Sequence, residues 1–291
     1  MKNLFKLSLL FILIGFTTTS CEELADALDS SYMTLDEVPR DGYDIYGDIW
    51  VITDSYGYDK TDFYNLKSAI SSAGRDIYLK FPYIDEIPSE AFYNCSDNLV
   101  SVELDRAIEL GDYAFENCEG LWKVYAPNVE SIGQGAFNNN IRLRDINFYD
   151  AEIIDDDAFK YCENLKSVEF NWVESIGVEA FYGCTNLLSA SFNSVGFVYE
   201  GAFEGCDNLE EVYMPKVTKI YNYAFYDCSS LEELTLATDS YVSSVSYTAF
   251  DYVDLSYVSL VTGRNNGTEV DGRYWVIGNN EFGPFRDISY N

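Results

Sequence analysis

Residues 167–187 read Ser-Val-Glu-Phe-Asn-Trp-Val-Glu-Ser-Ile-Gly-Val-Glu-Ala-Phe-Tyr-Gly-Cys-Thr-Asn-Leu. The Ala-Phe pair in this stretch recurs eight times along the chain, at steps of 23, then five times 22, then 25 residues. Its alanines are Ala91, Ala114, Ala136, Ala158, Ala180, Ala202, Ala224 and Ala249. A fixed period in this range is typical of a solenoid built from stacked repeats.

Apolar residues keep the same period at other positions of the repeat. An apolar residue such as Ile176 stands four residues before each alanine, and a leucine such as Leu165 stands six residues after most of the phenylalanines. Three and five residues beyond Leu165 come Val168 and Phe170, and the other repeats carry similar pairs. This alternation predicts one short strand per repeat, with one face buried.

The resulting unit is L-x-x-V-x-F, a loop, I-G-x-x-A-F, a turn and C-x-x-L. It resembles the BspA-like leucine-rich repeat family of bacterial surface proteins over residues 77–250. The resemblance implies a right-handed α/β solenoid of about seven to eight rungs. Strands would stack into a parallel sheet on one side, with short helical turns on the other. The alternative, an ordinary globular domain with chance spacing, does not explain the repeated register.

The first 20 residues have the order of a signal peptide. Lys2 and Lys6 precede an apolar run at residues 7–16, and small polar residues follow at 17–20. Cys21 comes next, so the segment resembles a bacterial lipoprotein signal, in which this cysteine is acylated on its thiol. Thr18 departs from the leucine usual in such motifs, and an ordinary secretory peptide is the alternative.

An acidic pair, Glu22-Glu23, follows Cys21 and resembles the export tag of lipoproteins that face the cell exterior. We therefore expect an outer membrane lipoprotein. Residues 21–40 are interpreted as an acidic tether and residues 41–76 as an N-terminal cap, in which Phe63, Leu66 and Ile70 form a helix-like apolar face. The solenoid spans 77–250, and 251–291, with a hairpin signal at Asp271-Gly272, form a C-terminal β cap.

Charge and composition exclude several classes of function. The chain of 291 residues has 18 Lys and Arg against 49 Asp and Glu, a net charge of −31. Such a field repels phosphates, so no nucleic-acid partner is expected. The absence of histidine removes Ser-His-Asp and Cys-His catalysis and imidazole metal sites.

Cysteines form a column that follows the repeat. The column comprises Cys95, Cys118, Cys162, Cys184, Cys206 and Cys228, with Asn140 in the third repeat. Cysteine and asparagine share a small side chain that bonds local backbone, which favours a structural position over a disulfide or a reactive thiol. One residue per rung makes a line and not a tetrahedron, so no metal is expected there.

No residue pattern indicates an enzyme. Acidic runs such as Asp155-Asp156-Asp157 are interpreted as solvated loops, with weak calcium binding as the alternative. Any of the carboxylates could pair for glycoside hydrolysis, but no pair stands out. We expect no catalytic residues, no metal and no cofactor.

The strand positions that point outward are the candidate binding face. The first outward column reads Glu103, Tyr125, Asn147, Glu169, Ser191, Tyr213 and Thr235, and the next reads Asp105, Pro127, Tyr149, Asn171, Asn193, Pro215 and Ala237. These columns vary while the inward columns repeat, as a binding surface would, although an unselected surface would vary in the same way. The candidate ligand-binding residues are Glu103, Tyr125, Tyr149, Glu169 and Tyr213.

The favoured function is a surface-anchored, non-enzymatic recognition protein. The resemblance implies adhesion to host or neighbouring-cell proteins through the strand face, by a monomer that touches the membrane only through its lipid. The alternative is a glycan-binding accessory lipoprotein of a surface polysaccharide system, in which two or three aromatic residues would converge in one groove. A structural envelope protein without a soluble ligand is the third possibility.

Overall fold

The computed structural model describes residues 49–52, 60–95, 97–263, 268–270, 274–277 and 280–290. The predicted signal peptide, the lipid attachment residue Cys21 and the tether lie outside these ranges. Within them, no helix is long and apolar enough to cross a bilayer.

Twenty-two strands follow one another with a single α-helix, α1 (Lys60–Ser72), in the described part of the chain. The strands are, in chain order, β1 (Ile49–Val51), β2 (Ile77–Phe81), β3 (Glu86–Ile87), β4 (Leu99–Leu104), β5 (Glu109–Leu110), β6 (Lys123–Tyr125), β7 (Ser131–Ile132), β8 (Asp145–Asn147), β9 (Ile153–Ile154), β10 (Ser167–Phe170), β11 (Ser175–Ile176), β12 (Ser189–Phe192), β13 (Phe197–Val198), β14 (Glu211–Met214), β15 (Lys219–Ile220), β16 (Glu233–Leu236), β17 (Ser244–Val245), β18 (Ser259–Thr262), β19 (Thr268–Val270), β20 (Tyr274–Ile277), β21 (Asn280–Phe282) and β22 (Asp287–Tyr290).

The repeats form a parallel β-solenoid of eight rungs. Each rung contributes one even-numbered strand, one odd-numbered strand and one Ala-Phe turn, from β2 and β3 in rung 1 to β16 and β17 in rung 8. The odd-numbered strands pair without interruption from β3 to β17 in an eight-stranded sheet. Each inner rung forms backbone hydrogen bonds with the rungs on either side of it. The stability of the fold therefore depends on the whole stack and not on single rungs.

The even-numbered strands form what we call the strand face, and here one expectation is wrong. The predicted single sheet is split into the order β1-β2-β4-β6-β8 and the order β10-β12-β14-β16-β18-β22. At the preceding junction, Trp122 O accepts bonds from the amides of Arg144 and Asp145, at 3.0 and 3.1 Å. Within the described residues, no such bond joins Lys166 or Ser167 to Arg144. The split therefore lies between rungs 4 and 5.

The segment around each Ala-Phe pair, called here the turn side, corrects a second expectation. Instead of helical turns it forms chained β turns, such as Ala91 N–H to Pro88 O and Cys95 N–H to Phe92 O, at 3.1 and 2.8 Å. The residues before Ala91 and two after Phe92 have φ of +63° and +54°. Left-handed residues at this spacing interrupt helical backbone, which is why no helix forms here.

The core is a continuous stack of phenylalanine rings from the Ala-Phe pairs. Phe159, for example, lies parallel to Phe137 and Phe181, with ring centroids 5.3 and 5.2 Å apart. The alanine before each phenylalanine is buried and leaves the room that the ring needs. The stack crosses the junction between rungs 4 and 5 without a gap.

Elements outside the repeats cover both ends of this core. Phe63, Leu66 and Ile70 of α1 are buried, as their spacing predicted, and the Phe63 ring lies 5.5 Å from Phe92. At the other end, Phe282 lies 5.9 Å from Phe250 and edge-on to it. β19 and β20 pair antiparallel on either side of the predicted hairpin turn, and the turn residues Asp271 and Gly272 lie outside the described ranges.

Candidate functional site

The strand face aligns the predicted binding residues in two groups. Glu103 and Tyr125 are partners on adjacent strands. Glu169 and Tyr213 lie on opposite sides of Ser191. The split of the sheet falls between the two groups, so the structure places these residues in one column but does not gather them into one pocket.

Glu103 is already engaged in an ion pair. Its Oε1 accepts a bond from Lys80 Nζ at 2.7 Å, and the same ammonium lies 3.2 Å from Asp105 Oδ2. Burial lowers the pKa of Lys80, but the bond to Glu103 and the charges of Glu103 and Asp105 raise it overall. Lys80 stays charged, so a ligand meets a neutralised group at Glu103 instead of a free acid.

The three predicted tyrosines are exposed to different degrees. Tyr125, Tyr213 and Tyr149 have 36%, 43% and 63% of their surface exposed. Tyr149 lies beyond the end of β8, so no ladder bonds fix its backbone as they fix the other two. Tyr125 and Tyr213 are therefore the more rigid contact residues.

Three residues predicted to point outward are buried instead. Thr235 is only 8% exposed, in register between Tyr213 and Val261. Pro215 and Ala237 lie just past the ends of β14 and β16, where the strand alternation stops, and Ala237 has φ of +53°. The exposed face therefore ends near rung 7.

The cysteine column bonds each rung to the one before it. The thiols of Cys162, Cys184, Cys206 and Cys228 each donate to the carbonyl of the phenylalanine in the preceding rung, at 3.2 Å, and Cys118 does so at 3.1 Å. Asn140 uses its side-chain amide for the same bond, to Phe115 O at 2.8 Å. Sulfur is therefore not essential at this position, whereas a small donor is.

Burial governs the chemistry of these thiols. All six cysteines of the column are free and buried. Loss of hydration raises the pKa of Cys184, and the pKa of Cys162, Cys206 and Cys228 rises for the same reason. Since the thiolate is the reactive form, these four thiols stay protonated and unreactive at neutral pH. Within the described ranges no cluster of acidic or sulfur ligands is placed to hold a metal.

The turn side carries its own charged and aromatic surface, which the sequence reasoning did not single out. Lys160 Nζ bonds Asp157 Oδ1 at 2.9 Å and also pairs with Glu179, while lying 5.3 Å from the Tyr182 ring centroid. The Tyr161 ring lies against Gly183. A Cβ atom on residue 183 would come within 2.7 Å of Tyr161 Cδ1, so glycine leaves the room that the ring occupies. The contacts of Lys160 with Glu179 and with the Tyr182 ring tie rung 4 to rung 5.

A second aromatic strip lies on the odd-numbered strands. The ring centroids of Phe197 and Tyr199 are 6.5 Å apart, and those of Tyr199 and Tyr221 are 5.1 Å apart. These rings stack on one another, so the faces between them are covered. Other rungs carry serine, glycine or aspartate at most of these positions, and that departure was the available sequence signal.

Comparison with known proteins gives one family and several solved structures. A family model described as BspA type leucine rich repeat region, in six copies, matches residues 77–172 and 152–266. No curated protein matches the chain.

Three solved structures are similar to this chain. A leucine-rich repeat protein of T. pallidum is 27% identical over 63% of this chain and 83% of its own, with a TM-score of 0.49. A leucine-rich cell surface protein of Faecalibacterium prausnitzii is 16% identical over 74% and 77%, with a TM-score of 0.30. A leucine-rich repeat protein of Bacteroides ovatus is 18% identical over 65% and 73%, with a TM-score of 0.28.

Proposed function

Because the chain belongs to the BspA-type leucine-rich repeat family, as its repeat unit predicted, we propose that it is a surface-anchored recognition protein. Repeats of this type are found in bacterial cell-surface proteins, which supports a role in binding other proteins. Proteins built on them are typically not enzymes. The proposal is that the strand face binds an extracellular protein of a host or a neighbouring cell.

The observation that carries the proposal is the exposure of Tyr125 and Tyr213 on strands whose partners hold them on both sides. Tyr125 on β6 lies between β4 and β8, and Tyr213 on β14 lies between β12 and β16. A backbone fixed in this way loses little conformational entropy on binding. Tyrosine also supplies a large contact area with a polar tip, which is why it is enriched at interfaces.

The spacing of the tyrosines favours a protein over a glycan on this face. Rungs are about 4.8 Å apart, so the five steps from Glu103 to Tyr213 span about 24 Å. That length suits one side of a standard protein interface, of about 800 Å². The glycan alternative requires aromatic residues that converge in one groove, and Tyr125 and Tyr213 are four rungs apart.

A binding panel of extracellular matrix proteins, run beside a glycan array, tests this proposal. Once a ligand is found, Tyr125→Ala and Tyr213→Ala should each weaken binding roughly thirtyfold, the effect of removing a buried anchor worth about 2 kcal/mol. Tyr182→Ala and Tyr226→Ala remove tyrosines from the turn side and should leave affinity within about twofold. The reverse pattern would place the interface on the turn side.

The anchoring half of the proposal rests on Cys21, the expected lipid attachment residue of an outer membrane lipoprotein that faces the exterior. The warrant is the charged, apolar and small-residue order that ends there. Expressed in a Gram-negative host, the full chain should partition into detergent, and Cys21→Ala should release it in soluble form. Unchanged membrane association of the variant would rule out this anchor.

A further inference from the structure

An open pocket lies at the corner where the first strands of the strand face begin. Its volume is about 420 Å³, and its lining includes Asp76, Gly120, Trp122, Arg142, Arg144 and Asn164. This volume falls in the usual range for small-molecule sites. Trp122 and Arg144 directly precede β6 and β8, so the pocket lies at the starting end of these strands and next to the split in the sheet.

The pocket forms where two adjacent rungs lack an asparagine that other rungs carry. Before the repeat leucine, rungs 5, 6 and 7 carry an asparagine whose amide donates to a carbonyl of the preceding rung: Asn164 to Ile141 O at 2.6 Å, Asn186 to Glu163 O at 2.8 Å and Asn208 to Thr185 O at 2.6 Å. Gly120 and Arg142 stand at this position in rungs 3 and 4. A side chain at Gly120 would collide with the Asp97 carbonyl, so this part of the lining stays bare.

The cations of this pocket are free to bind a ligand. Arg142 is exposed, and no ion pair to it is present in the part of the chain that the structure describes. Arg144 Nε lies 3.8 Å from Asp145 Oδ1, a contact between exposed groups that contributes little. Asp76 adds one negative charge, so the lining carries two cations and one anion in a chain of net charge −31.

Trp122 supplies the apolar part of the same pocket. Its side chain is 38% exposed. Tryptophan is not a repeated residue at this position, since the neighbouring rungs carry Val100, Arg144 and Lys166 there. An indole face packs well against the C–H face of a sugar ring. A guanidinium pairs with a carboxylate through two parallel hydrogen bonds.

We propose that this pocket binds a sugar carrying a single carboxylate, of the uronate or sialate type. Arg142 and Arg144 pair with the carboxylate, Trp122 packs under the ring, and Asn164, one rung beyond Arg142, bonds the hydroxyl groups. A single charge is specified because the acidic surface repels ligands that carry many, including acidic peptides. The site is separate from the strand face and does not depend on the function proposed for it.

Calorimetry on the full-length chain in mild detergent tests the site. The probes are two oligosaccharides, one ending in glucuronate and one in sialate, each beside its methyl ester. We expect at least one of the two acids to bind. Its methyl ester should bind at least about tenfold more weakly, because a charge-assisted hydrogen bond is lost. Trp122→Ala and Arg142→Gln should each weaken binding of the acid by about tenfold or more.

Matched controls separate the pocket from general surface effects. Trp172→Ala removes another exposed tryptophan, and Arg106→Gln removes an exposed arginine that pairs with Asp85, so both should change affinity less than about twofold. Failure of both acids to bind, equal binding of acid and ester, or equal losses in the controls would overturn the proposal. Tighter binding of a hexa-aspartate peptide, lost in the same pocket variants, would assign the site to acidic peptides instead.

Discussion

The turn side and the strand face belong to the same rungs, yet hydrogen bonding runs through one and stops on the other. Between rungs 4 and 5 the turn side keeps three backbone bonds, from Asp157, Phe159 and Tyr161, at 2.7 to 2.9 Å. At the same junction Cys184 bonds Phe159 O. The even-numbered strands of these two rungs share no ladder.

This difference indicates which surface holds the fold together and which is free to vary. The turn side supplies the phenylalanine stack, the thiol bonds and the backbone ladder, so a change there disturbs neighbouring rungs. The strand face tolerates a missing ladder because the turn side and the odd-numbered strands keep their backbone hydrogen bonds between the same two rungs. Tyr125, Tyr213 and the Trp122 pocket all lie on or beside the tolerant surface.

The largest change in stability that tests this comparison is expected when one ring is removed from the phenylalanine stack. Phe159→Ala should destabilise the protein by about 3–5 kcal/mol, since a fully buried ring leaves a cavity between Phe137 and Phe181. Tyr149→Ala, on the exposed side of the same rung, should change stability by about 0.5 kcal/mol or less. Denaturant unfolding followed by circular dichroism measures both, and similar losses would remove the distinction.

A smaller effect is expected at the cysteine column, with opposite signs at two positions. Cys184→Ala removes the bond to Phe159 O and should cost about 1 kcal/mol. Asn140→Cys keeps a donor for Phe115 O and removes a buried Oδ1 that lacks a partner, so it should stabilise by about 1 kcal/mol. Destabilisation by Asn140→Cys would show that the amide has a role that the thiol cannot fill.

These two positions also show how much the sequence predicts. The inward columns and the Asn140 exchange were visible because packing imposes the same residue type on every rung. Asparagine, glycine and aspartate two residues after the phenylalanines, as at Asn117, Gly183 and Asp227, favour left-handed backbone and predict turns over helices. That signal was missed because the resemblance implied helical turns.

Other features were not predictable from one sequence. Ile146 and Val168 occupy the same column in rungs 4 and 5 and are both β-branched, so nothing in their type predicts the split between β8 and β10. The pocket likewise depends on how Gly120 and Arg142 replace asparagine in adjacent rungs. Its residues become a group only once the register is known.

The smallest expected effect is a dependence of stability on pH that originates on the turn side. Burial, followed by the charges of nearby acids, raises the pKa of Glu204 and of Asp207, and burial also raises that of Glu116. Raised carboxyl pKa values stabilise the fold at low pH, and this contribution is lost as pH rises through them.

Scanning calorimetry should therefore show a Tm higher by about 2 °C or less at pH 5.5 than at pH 7.5, because Glu116 and Glu204 are only half-buried and Asp207 is exposed, so solvent screens their charges. Glu204→Gln should reduce the difference, and 0.5 M NaCl should reduce it as well, by screening. A Tm that falls on acidification would contradict the assignment.

Amide hydrogen exchange measures the difference between the two surfaces most directly. At residue resolution, the amides of Phe159 and Tyr161 should be strongly protected, because both bond to rung 5. The amides of Lys166 and Ser167 should exchange faster than those of Glu210 and Glu211, which occupy the same positions two rungs later and bond Leu188 O at 2.9 and 3.1 Å. Equal protection of Lys166 and Glu210 would contradict the account, because it would mean that the strand ladder is continuous in solution.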